Sequence, residues 1–598
     1  MANENDLKEI PYAVSDFKEF RESNYYFVDK TRYIRDIEKK GRYLFLIRPR
    51  RFGKSLFLSI MECYYDIELK DKFDFIFANT DILETPTPER NRYMILKLNF
   101  AMVEADVDKV EEAFLEHIRD KALHFIKKYQ NYLDIDINKI EARFQALTSA
   151  PIIMGALLSY CLGKKQKLYV IIDEYDNFAN TILSTSGQQS YIDITQGEGF
   201  LRSFFNVVKG GTTGTDAPIS RLFMTGVSPI TLDDVTSGFN IAENISLDTD
   251  LNEIMGFTQR EVETMIEYYR QSGKIRHSTQ ELLEIMGQWY NHYRFSIYAD
   301  TELFNTVHVL YFLKGYMKDS RVPGNLIDRN ALFDYKKLRH LIIIDKEGAN
   351  QTNGNFSRLQ QILETGGINA NLQTGFPIEE LVKPENFISL LFYFGLLTIR
   401  GTTLTGQTIL SIPNEFVRRL FYDFIRDTYE DTKIFSLDMT IYSDLLEDFA
   451  VAGKWQPFIE YIANRMEASL GIRDLMNSEK AHQVFWNVYL GLNPLYMVYS
   501  EKELNQGFSD LVMVPMTIQY PAIKYTYLVE LKYIKPSDFE KEGAEVKIGA
   551  LRLEAAEQLQ RYCLDEKFKK SVGQTILKKL ILIFSGNRLV HHSETEGA

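Results

Sequence analysis

The stretch Tyr43–Ser55, YLFLIRPRRFGKS, decides the fold of the first part of the chain. The short continuous apolar run at its start predicts a buried strand that ends in a basic turn. The residues that follow, Ser55–Tyr65 (SLFLSIMECYY), predict a helix with an apolar face. A strand, a glycine-containing turn and a helix in this order are what a P-loop requires, because the turn aims backbone N–H groups at phosphates.

Gly53-Lys54-Ser55 supplies the last three elements of the P-loop pattern GxxxxGK[ST], a lysine charge and a hydroxyl for Mg²⁺ among them. The sequence departs from the pattern at its first position, where Arg48 replaces glycine. The loop is also strongly basic, so Arg50 and Arg51 join the predicted nucleotide-binding residues. Taken alone, this turn is equally compatible with a basic surface loop.

A second motif favours the nucleotide interpretation. The apolar run LYVII predicts a buried strand, and Asp173 and Glu174 follow it directly. In P-loop proteins an aspartate in this place reaches Mg²⁺, and a following glutamate polarises the attacking water. We therefore predict that Asp173 contributes to the metal site and that Glu174 is the catalytic base. The alternative is a pair of solvated carboxylates at a strand end.

Further strands are predicted at YMILKLNF (Tyr93–Phe100) and LFMT (Leu222–Thr225), with helical patterns between them. Strands that alternate with helices predict an α/β fold with a mainly parallel sheet covered on both faces. The glycine-containing segment after Glu174 is interpreted as a polar insertion. Thr225 is placed to sense the γ-phosphate, with Ser228 as second choice; the alternative is a hydroxyl that caps the next turn.

Beyond about residue 255 helices dominate, and Thr258 with Glu261 predicts a capping box. The aromatic run WYNHYRF (Trp289–Phe295) is interpreted either as a lid with Arg294 near phosphate or as core aromatics with a surface arginine. Residues 345–376 predict a loop or connector. A winged-helix-like module is predicted from a helix, two strands and a helix, at 387–396, 397–400, 408–412 and 414–428.

From about residue 470 the pattern predicts an α-β-β-β-α-β order, with a turn at Asn505-Gln506-Gly507. Asp510 opens one strand, while Glu530 and Lys532, two apart on the next, point to one face. Antiparallel pairing would bring Asp510 beside Glu530. Carboxylate oxygens suit Mg²⁺ or Mn²⁺, and Lys532 would hold the attacking water.

Three other side chains are candidates for the same site. Glu479, on the preceding helix, would add a third metal-binding carboxylate. Gln558 and Tyr562 are four apart on the following helix, so they share one face and would flank the site. The alternative is an amphipathic strand with a solvated face, since an isolated ExK pattern is weak.

Composition sets outer limits. A chain of 598 residues predicts roughly three to five domains, and its formal net charge of −13 disfavours a protein that coats nucleic acid by bulk charge. Cys63, Cys161 and Cys563 form no CxxC pair, which fits a reducing compartment. With neither a signal-peptide pattern nor an apolar run of about 18 residues, we expect a cytoplasmic protein with no membrane contact.

Together, Asp29-Lys30-Thr31, RPRRFGKS, VIIDEYD, MTGVSP and WYNHYRF resemble the motif series of the bacterial predicted AAA-ATPase-like family, which typically carries a C-terminal nuclease-like domain of the PD-(D/E)XK superfamily. The resemblance implies an ASCE-type P-loop sheet, with Lys54 on phosphate, Ser55 and Asp173 on Mg²⁺ and Glu174 as base. In that family the arginine-rich loop without the first glycine is normal. His292 stands where glycine, which readily adopts positive φ, is usual in that family.

Four regions are expected: an AAA-ATPase-like domain (1–255), a helical lid with the winged-helix-like region (256–435), a helical connector (436–469) and a nuclease-like domain (470–598). The first hypothesis is an ATP-controlled, Mg²⁺-dependent nuclease that acts on nucleic acid, DNA rather than RNA. The second is an ATP-dependent switch whose nuclease-like domain binds without cutting. A small-molecule phosphotransferase would leave most of the chain unexplained. A homo-oligomer stays open.

Overall fold

The structure is a computed structural model that describes residues 7–236, 241–328, 330, 354–473, 475–504, 507–541 and 543–595. The chain divides into two compact units. The first comprises Met1–Arg321, Ile327–Asn355 and Asn369–Asn414. The second comprises Val322–Leu326, Phe356–Ile368 and Glu415–Ala598.

The first unit is built on a five-stranded parallel sheet with the order β2-β3-β4-β1-β5. Its strands are β1 (Tyr43–Ile47), β2 (Tyr93–Asn99), β3 (Lys167–Asp173), β4 (Ile219–Gly226) and β5 (Glu243–Asn244). The predicted parallel α/β sheet is confirmed. Since parallel strands end at the same edge, the loops after β1, β3 and β4 lie side by side.

Helices connect and flank these strands, and all of them have apolar residues in the core. Those before β3 are Phe17–Glu22, Tyr33–Lys40, Lys54–Tyr65, Phe73–Ile76, Asp81–Glu84, Val110–Lys128, Gln130–Leu133, Ile137–Gln145 and Ala150–Cys161. Short 3₁₀ turns span Ile67–Lys72, Phe100–Met102 and Thr249–Leu251.

The segment after β3 is not a polar insertion, so that prediction was wrong. It forms two helices, Asn177–Thr195 and Phe200–Gly210, followed after β4 by Pro229–Thr236. Phe204, Phe205 and Val208 are buried, and this apolar face holds the second helix in the core. The glycines misled the prediction because one of them, Gly187 with φ +86°, lies within the first helix and kinks it.

Three helices follow the sheet: Gln259–Arg270, Thr279–Tyr290 and Thr306–Asp319. The predicted capping box is present, because the Thr258 side chain accepts from Glu261 N and the Glu261 side chain accepts from Thr258 N. A two-stranded sheet pairs β6 (Phe257–Thr258) with β7 (Leu303–Phe304).

Part of the predicted connector is regular structure. Residues 345–353 lie outside the described residues, but Gly354–Thr365 is a helix and β8 (Gly367–Ala370) is a strand. β8 belongs to a three-stranded sheet of order β8-β10-β9, with β9 (Thr398–Thr402) and β10 (Thr408–Ser411) forming an antiparallel hairpin. A 3₁₀ turn, Ile378–Glu380, and the helix Pro384–Tyr393 precede the hairpin, and this helix is buried from Asn386 onward.

The second unit has a five-stranded sheet of order β11-β12-β13-β14-β15, in which only the β13–β14 pair is parallel. The strands are β11 (Tyr496–Leu504), β12 (Gly507–Pro515), β13 (Tyr525–Tyr533), β14 (Ile576–Ser585) and β15 (Arg588–Thr595). β15 was not predicted. Of the predicted turn, Asn505 and Gln506 lie outside the described residues.

Helices cover this sheet and extend before it. They span Glu415–Asp431, Met439–Glu447, Trp455–Ala468, Glu479–Gly491, Pro536–Phe539, Ala544–Tyr562 and Glu566–Val572, with a π turn at Asp448–Ala452 and a 3₁₀ turn at Leu470–Ile472. The helix Ala544–Tyr562 is the crossover that joins β13 to β14, and a parallel pair requires such a connection. It buries Leu559 and Tyr562 against Val512, Leu528 and Ile581.

Candidate nucleotide and nuclease-like sites

The turn between β1 and the helix Lys54–Tyr65 has the backbone of a phosphate loop. Gly53 adopts φ +98° and forms the N-cap of that helix, and Arg51 adopts φ +73°. Left-handed residues immediately before a helix turn successive N–H groups toward a common point, which creates an anion-binding concavity. The positive φ explains why position 53 is a glycine.

Arg48 shows why the first glycine of the pattern is dispensable here. Its guanidinium is fully buried and donates to the carbonyls of Ile47 (3.0 Å), Ser246 (2.6 Å) and Leu251 (3.0 Å). It also lies 4.3 Å from the ring centroid of Phe295. Burial lowers its pKa to about 9. Its side chain therefore stabilises the base of the loop instead of filling the space for phosphate.

The structure brings Ser55 and Asp173 together, with Lys54 next to Ser55 in the phosphate loop. The Lys54 ammonium is buried and donates to the carbonyls of Arg48 (3.0 Å) and Pro49 (3.1 Å), within its own loop. The Ser55 hydroxyl donates to Asp173 Oδ2 at 2.6 Å. Asp173 Oδ1 is buried and has no hydrogen-bond partner in the described part of the chain. A hydroxyl beside an unsatisfied carboxylate oxygen is a suitable donor set for Mg²⁺.

Glu174 lies next to these groups, but its pKa is shifted in the opposite direction from that of Asp173. Burial raises the pKa of Asp173, and the hydrogen bond from Ser55 opposes that rise. Burial also acts to raise the pKa of Glu174, yet Lys54 and Arg50 hold it below its ordinary value, together with a 2.9 Å hydrogen bond from Asn177 Nδ2. Glu174 has φ +52°, so the backbone turns sharply at this residue. A carboxylate kept ionised beside a phosphate loop is suited to accept a proton.

Two residues that the sequence analysis missed connect this acidic turn to the end of β4. Asp176 Oδ2 accepts from the backbone N–H groups of Val227 and Ser228, and the Tyr175 hydroxyl donates to the Ser228 carbonyl. A Cβ at Gly226 would lie 2.4 Å from the Tyr175 ring and 2.5 Å from Asp176 Oδ1. The motifs VIIDEYD and MTGVSP are therefore packed against each other. The sequence shows the two motifs but not the contact between them.

Thr225 and Ser228 occupy different environments. The Thr225 hydroxyl is buried without a hydrogen-bond partner among the described side and main chains, at the β4 end beside β1 and β3. It is not part of the cavity lining. Ser228 Oγ accepts from Ile230 N at 3.2 Å and so caps the helix Pro229–Thr236. A γ-phosphate contact by Thr225 stays a prediction, whereas Ser228 has the capping role.

A cavity of about 480 Å³ is lined in part by the phosphate loop. Its charged and polar lining residues include Arg50, Arg51, Lys54, Ser55 and Glu174. Its apolar lining residues include Val14, Phe27, Val28, Ile254, Met255 and Leu310. A cavity lined by both charged and apolar groups has the character of a nucleotide pocket, which must receive phosphates and a base.

The N-terminal segment contributes lining residues to the cavity, a role that the sequence analysis did not assign. The motif Asp29-Lys30-Thr31 was the available sequence signal for this role, because its side chains hold the segment in place. Asp29 accepts from Thr31 N and Asp81 N at 2.8 and 2.7 Å. Lys30 is buried and pairs with Glu261 at 2.8 Å, the same glutamate that forms the capping box.

Arg294 is not among the residues that line the cavity, so its proposed lid role is corrected. Its guanidinium donates to the carbonyls of Ile399 and Ala299, each at 3.1 Å. The aromatic run instead packs against the phosphate loop. The ring centroids of Tyr293 and Phe295 lie 4.9 and 5.3 Å from that of Phe52. His292 adopts φ +72°, the left-handed backbone expected where a glycine is usual, and its ring pairs with Glu302.

The second unit brings Asp510, Glu530 and Lys532 together at the β12–β13 pair. The antiparallel register aligns Leu511 with Val529, which places Asp510 opposite Glu530. Asp510 Oδ2 accepts from Leu531 N at 2.7 Å, and Lys532 Nζ donates to Glu530 Oε1 at 3.1 Å. The predicted one-face arrangement on β13 is therefore present.

Glu530 is the most perturbed acid of this group. Burial raises its pKa to about 8, and the charge of Asp510 adds to the rise, while Lys532 opposes it. Its Oε2 atom is buried and unpaired within the described ranges. A carboxylate that cannot easily ionise in the free protein, beside a second carboxylate, is poised for a cation that supplies the missing positive charge.

Glu479 is not grouped with this pair as a third metal-binding carboxylate. No group of three or more His, Cys, Asp or Glu is close enough to hold a metal ion in the described part of the chain. The charge of Glu479 nevertheless adds to the raised pKa of Glu530. Asp510 and Glu530 are therefore the carboxylate pair of the site, and a metal-binding role of Glu479 stays a prediction. Mg²⁺ is commonly held by one or two carboxylates with waters, so a pair is sufficient.

The helix Ala544–Tyr562 flanks the site as expected. The charges of Glu530 and Asp510 add to burial in raising the pKa of Tyr562, to about 12, which places the phenol in their field. Gln558 Oε1 is buried and accepts no hydrogen bond from the described residues. The same helix adds Glu554, which the sequence analysis missed; its carboxylate lies 3.6 Å from Lys532 Nζ. Glu554, Gln558 and Tyr562 are spaced by four, and this spacing was the available signal.

Comparison with known proteins finds a family match for each of the two regions that contain these residues. Residues 11–236 match the family described as Predicted AAA-ATPase, and residues 477–594 match the PD-(D/E)XK nuclease superfamily. The chain thus carries an AAA-ATPase-like domain and a PD-(D/E)XK nuclease superfamily domain, which confirms the resemblance seen in its motifs. None of the helices within the described residues has both the length and the apolar character of a membrane span.

One curated relative is 26% identical over 270 residues, the "Uncharacterized protein in vnfD 5'region" of Azotobacter chroococcum mcd 1. The match covers 43% of this chain and 45% of that protein, so it spans less than half of either. Two solved structures from Aeropyrum pernix align with 67% of this chain and 93% of theirs: the ORC1 protein in complex with DNA (10% identity, TM-score 0.26) and the ORC2 protein in ADPNP-ADP complexes (12%, 0.30). Likenesses of this size do not bear on function.

Proposed function

We propose that this chain binds and hydrolyses ATP in its first unit and that the ATP state controls a Mg²⁺-dependent nuclease site in its second unit. The observation that carries the first half is the 2.6 Å contact of Ser55 with Asp173 beside the cavity that Lys54 and Glu174 line. The second half rests on Asp510 and Glu530, held opposite each other on β12 and β13 with Lys532 alongside.

In the nucleotide site each residue has a distinct task. Lys54 and the loop N–H groups bind the β- and γ-phosphates, and Ser55 with Asp173 would hold Mg²⁺. Bound Mg²⁺ would neutralise charge that develops on the phosphate oxygens. Glu174 accepts a proton from water as its oxygen bonds to the γ-phosphorus, while the bond from that phosphorus to the bridging oxygen breaks and ADP leaves. The lowered pKa of Glu174 keeps it ionised for this step.

The second site has the groups for phosphodiester hydrolysis. Asp510 and Glu530 would hold Mg²⁺ or Mn²⁺, which would lower the pKa of a bound water and polarise the phosphate. Lys532, 3.1 Å from Glu530, orients the water that attacks phosphorus. Tyr562 and Gln558 flank the site, where a phosphate or sugar of the nucleic acid would lie. We propose DNA, in preference to RNA, as the substrate.

We infer that the predicted winged-helix-like region, residues 387–428, contributes less to nucleic-acid binding than a winged helix usually does. Its strand order and hairpin are compatible with that fold, but the helix Pro384–Tyr393 is buried from Asn386 onward. A helix that reads the major groove must be exposed. We therefore assign base or backbone contacts in this region, if DNA is bound there, to the hairpin Thr398–Ser411 and not to the helix.

The experiment combines both halves. Purified protein is incubated with linear and circular duplex DNA, single-stranded DNA and RNA, each with Mg²⁺, Mn²⁺ or EDTA and with ATP, ADP or no nucleotide. Metal-dependent cleavage that changes with the nucleotide supports the proposal. Absence of cleavage on every substrate contradicts the nuclease half, and cleavage that is independent of nucleotide contradicts the control by ATP.

An ATP-dependent switch with a non-cleaving domain is the second candidate, favoured by the limited carboxylate set in the described residues. The Glu530→Ala variant separates the two. If it matches wild type in every nucleic-acid assay, the switch is supported; if it loses cleavage that wild type performs, the switch is excluded. Glu557→Gln is the matched control, because Glu557 is exposed on the helix Ala544–Tyr562.

A further inference from the structure

The phosphate loop contains Arg48, Arg50 and Arg51, and the last two line the cavity. Arg50 lines the cavity together with Lys54, Ser55 and Glu174. Its positive charge acts on both neighbours, because it helps to lower the pKa of Lys54 and of Glu174. Arg50 is therefore close to the group that binds phosphate and to the group that would accept the proton of the attacking water.

The backbone of the loop around Arg50 is fixed from outside the loop. The carbonyl of Arg50 accepts from Asn305 Nδ2 at 3.4 Å, and the carbonyl of Arg51 accepts from Val307 N at 3.2 Å. Phe52 O accepts from Gly256 N at 3.1 Å and from the Thr306 hydroxyl at 3.2 Å. A loop held by these contacts places its side chains before the substrate arrives, which is the condition for electrostatic catalysis.

Arg50 and Arg51 have different contacts and therefore different tasks. Arg51 Nη2 donates to the carbonyl of Asn330 at 2.9 Å, a contact that ties the loop to a later segment of the first unit. Both arginines line the cavity, but this hydrogen bond directs the Arg51 guanidinium toward Asn330. Arg50 is thus the better candidate for contact with the γ-phosphate.

We propose that Arg50 is a catalytic arginine in cis, which stabilises the charge on the transferring γ-phosphate, so that a single chain holds a complete ATPase centre. This inference rests on the proposed ATPase activity. In the step, water oxygen bonds to the γ-phosphorus, the bond to the β–γ bridging oxygen breaks, and Glu174 takes the water proton. Arg50 keeps its protons and donates hydrogen bonds to γ-phosphate oxygens. In P-loop enzymes such an arginine is supplied either by the same chain or by a partner protein.

The test uses the full chain with Arg50→Ala and Arg50→Lys. Removal of one preorganised donor to a developing charge costs about 10²–10³-fold in rate. We expect Arg50→Ala to lower kcat by about that factor and to change the Kd for ATP by less than about fivefold, with Arg50→Lys intermediate. Arg42→Ala is the matched control, because Arg42 is exposed at the start of β1 and does not line the cavity. Retention of kcat within twofold in Arg50→Ala overturns the proposal.

A mixing experiment decides between cis and trans action. Arg50→Ala and Lys54→Ala proteins are combined at several concentrations. If Arg50 acts in cis, no active centre is restored and the activity stays at the sum of the two variants. If it acts in trans, Arg50 of the Lys54→Ala chain restores activity to the Arg50→Ala chain, which retains Lys54. Recovered activity that grows with concentration therefore overturns the assignment to one chain.

A binding measurement separates failure of this inference from failure of the proposed function. ADP with aluminium fluoride and Mg²⁺ mimics the transferring phosphate without turnover. We expect wild type to bind this complex at least about 10²-fold more tightly than Arg50→Ala, with equal affinity for ADP alone. Equal affinity for the fluoride complex overturns the inference while ATP hydrolysis by wild type still stands. No ATP binding by wild type overturns the proposed function and this inference with it.

Discussion

The nucleotide cavity and the β12–β13 site both gather acidic groups, but their charge balance is opposite. Around Glu174 lie Lys54 and Arg50, and these cations hold its pKa below the ordinary value against the effect of burial. Around Glu530 lie Asp510 and Glu479, with Lys532 as the counterion, and its pKa rises to about 8. The first site is prepared to receive a polyanion, whereas the second is prepared to receive a cation.

This contrast has a physical cause in the local architecture. The first carboxylate follows a parallel strand and faces a basic loop at the same sheet edge. The second lies within a strand, opposite another carboxylate, at 2% exposure. A buried carboxylate without enough positive charge nearby stays protonated until a counterion arrives. Metal binding and ionisation of Glu530 should therefore be coupled, and the predictions below aim at this difference.

The largest expected effect is on cleavage by Glu530→Gln. The amide retains the size of the side chain but removes the charge that would hold the metal. Since metal catalysis supplies several kcal/mol of transition-state stabilisation, we expect a loss of about 10³–10⁴-fold in cleavage rate, with ATP turnover unchanged. Cleavage is measured on labelled DNA in Mg²⁺. Normal cleavage by this variant would show that another carboxylate binds the metal.

The second prediction concerns Glu174→Gln, the corresponding substitution in the nucleotide site. We expect ATP affinity to be retained and kcat to fall by about 10²–10³-fold, because a general base contributes in that range. Steady-state phosphate release and equilibrium ATP binding are the two measurements. Glu198→Gln, an exposed glutamate of the same unit, serves as control. A normal kcat in Glu174→Gln would mean that the base has been assigned to the wrong residue.

A smaller effect is expected for ATP binding by Lys54→Ala. Loss of a charge-assisted hydrogen bond costs about 1.5–3 kcal/mol, which corresponds to roughly 10- to 150-fold weaker ATP binding. Calorimetric titration of ATP with Mg²⁺ gives the affinity, and the exposed Lys165→Ala is the control. Without nucleotide, the rate of cleavage by the second unit should be the same in Lys54→Ala as in wild type. Unchanged affinity in Lys54→Ala would remove the phosphate role of this residue.

The smallest effect is on stability and depends on pH. Because the pKa of Glu530 in the folded metal-free protein is about 8, above its ordinary 4.5, the folded state binds a proton more tightly than the unfolded state. The resulting stability is fully present below about pH 4.5 and is lost as pH rises toward about 8. Lys532 does not contribute in this window, because its raised pKa lies above 10.5.

In EDTA, the wild-type Tm of the second unit should therefore fall more between pH 5 and 8 than that of Glu530→Gln, by about 2–5 °C. Hydrogen exchange of the β13 amides assigns the transition to this unit. Added Mg²⁺ should reduce the difference by stabilising wild type alone. Parallel Tm profiles of the two proteins in EDTA would show that Glu530 is already ionised without metal.

The elements nearest the chemistry were predictable, and those farther from it were less so. The phosphate loop, Asp173-Glu174 and the Asp510, Glu530 and Lys532 set follow from strand-end patterns and from the two-residue period of a strand. The helices Asn177–Thr195 and Phe200–Gly210 were missed because glycines mask their apolar face. β15 was missed because its sequence, RLVHHSET, has no regular alternation of apolar residues.

The sequence by itself determined the kinds of chemistry: a loop with Lys54 and Ser55, an acidic pair after a strand, and an ExK strand with an aspartate before it. Tertiary structure alone decided which charges surround each acid, and hence the opposite protonation of Glu174 and Glu530. It also decided that Arg48 and Arg294 bind carbonyls, while Arg50 lines the cavity. The reason is that a side chain's pKa and role depend on neighbours distant in sequence, which only packing brings within a few ångströms.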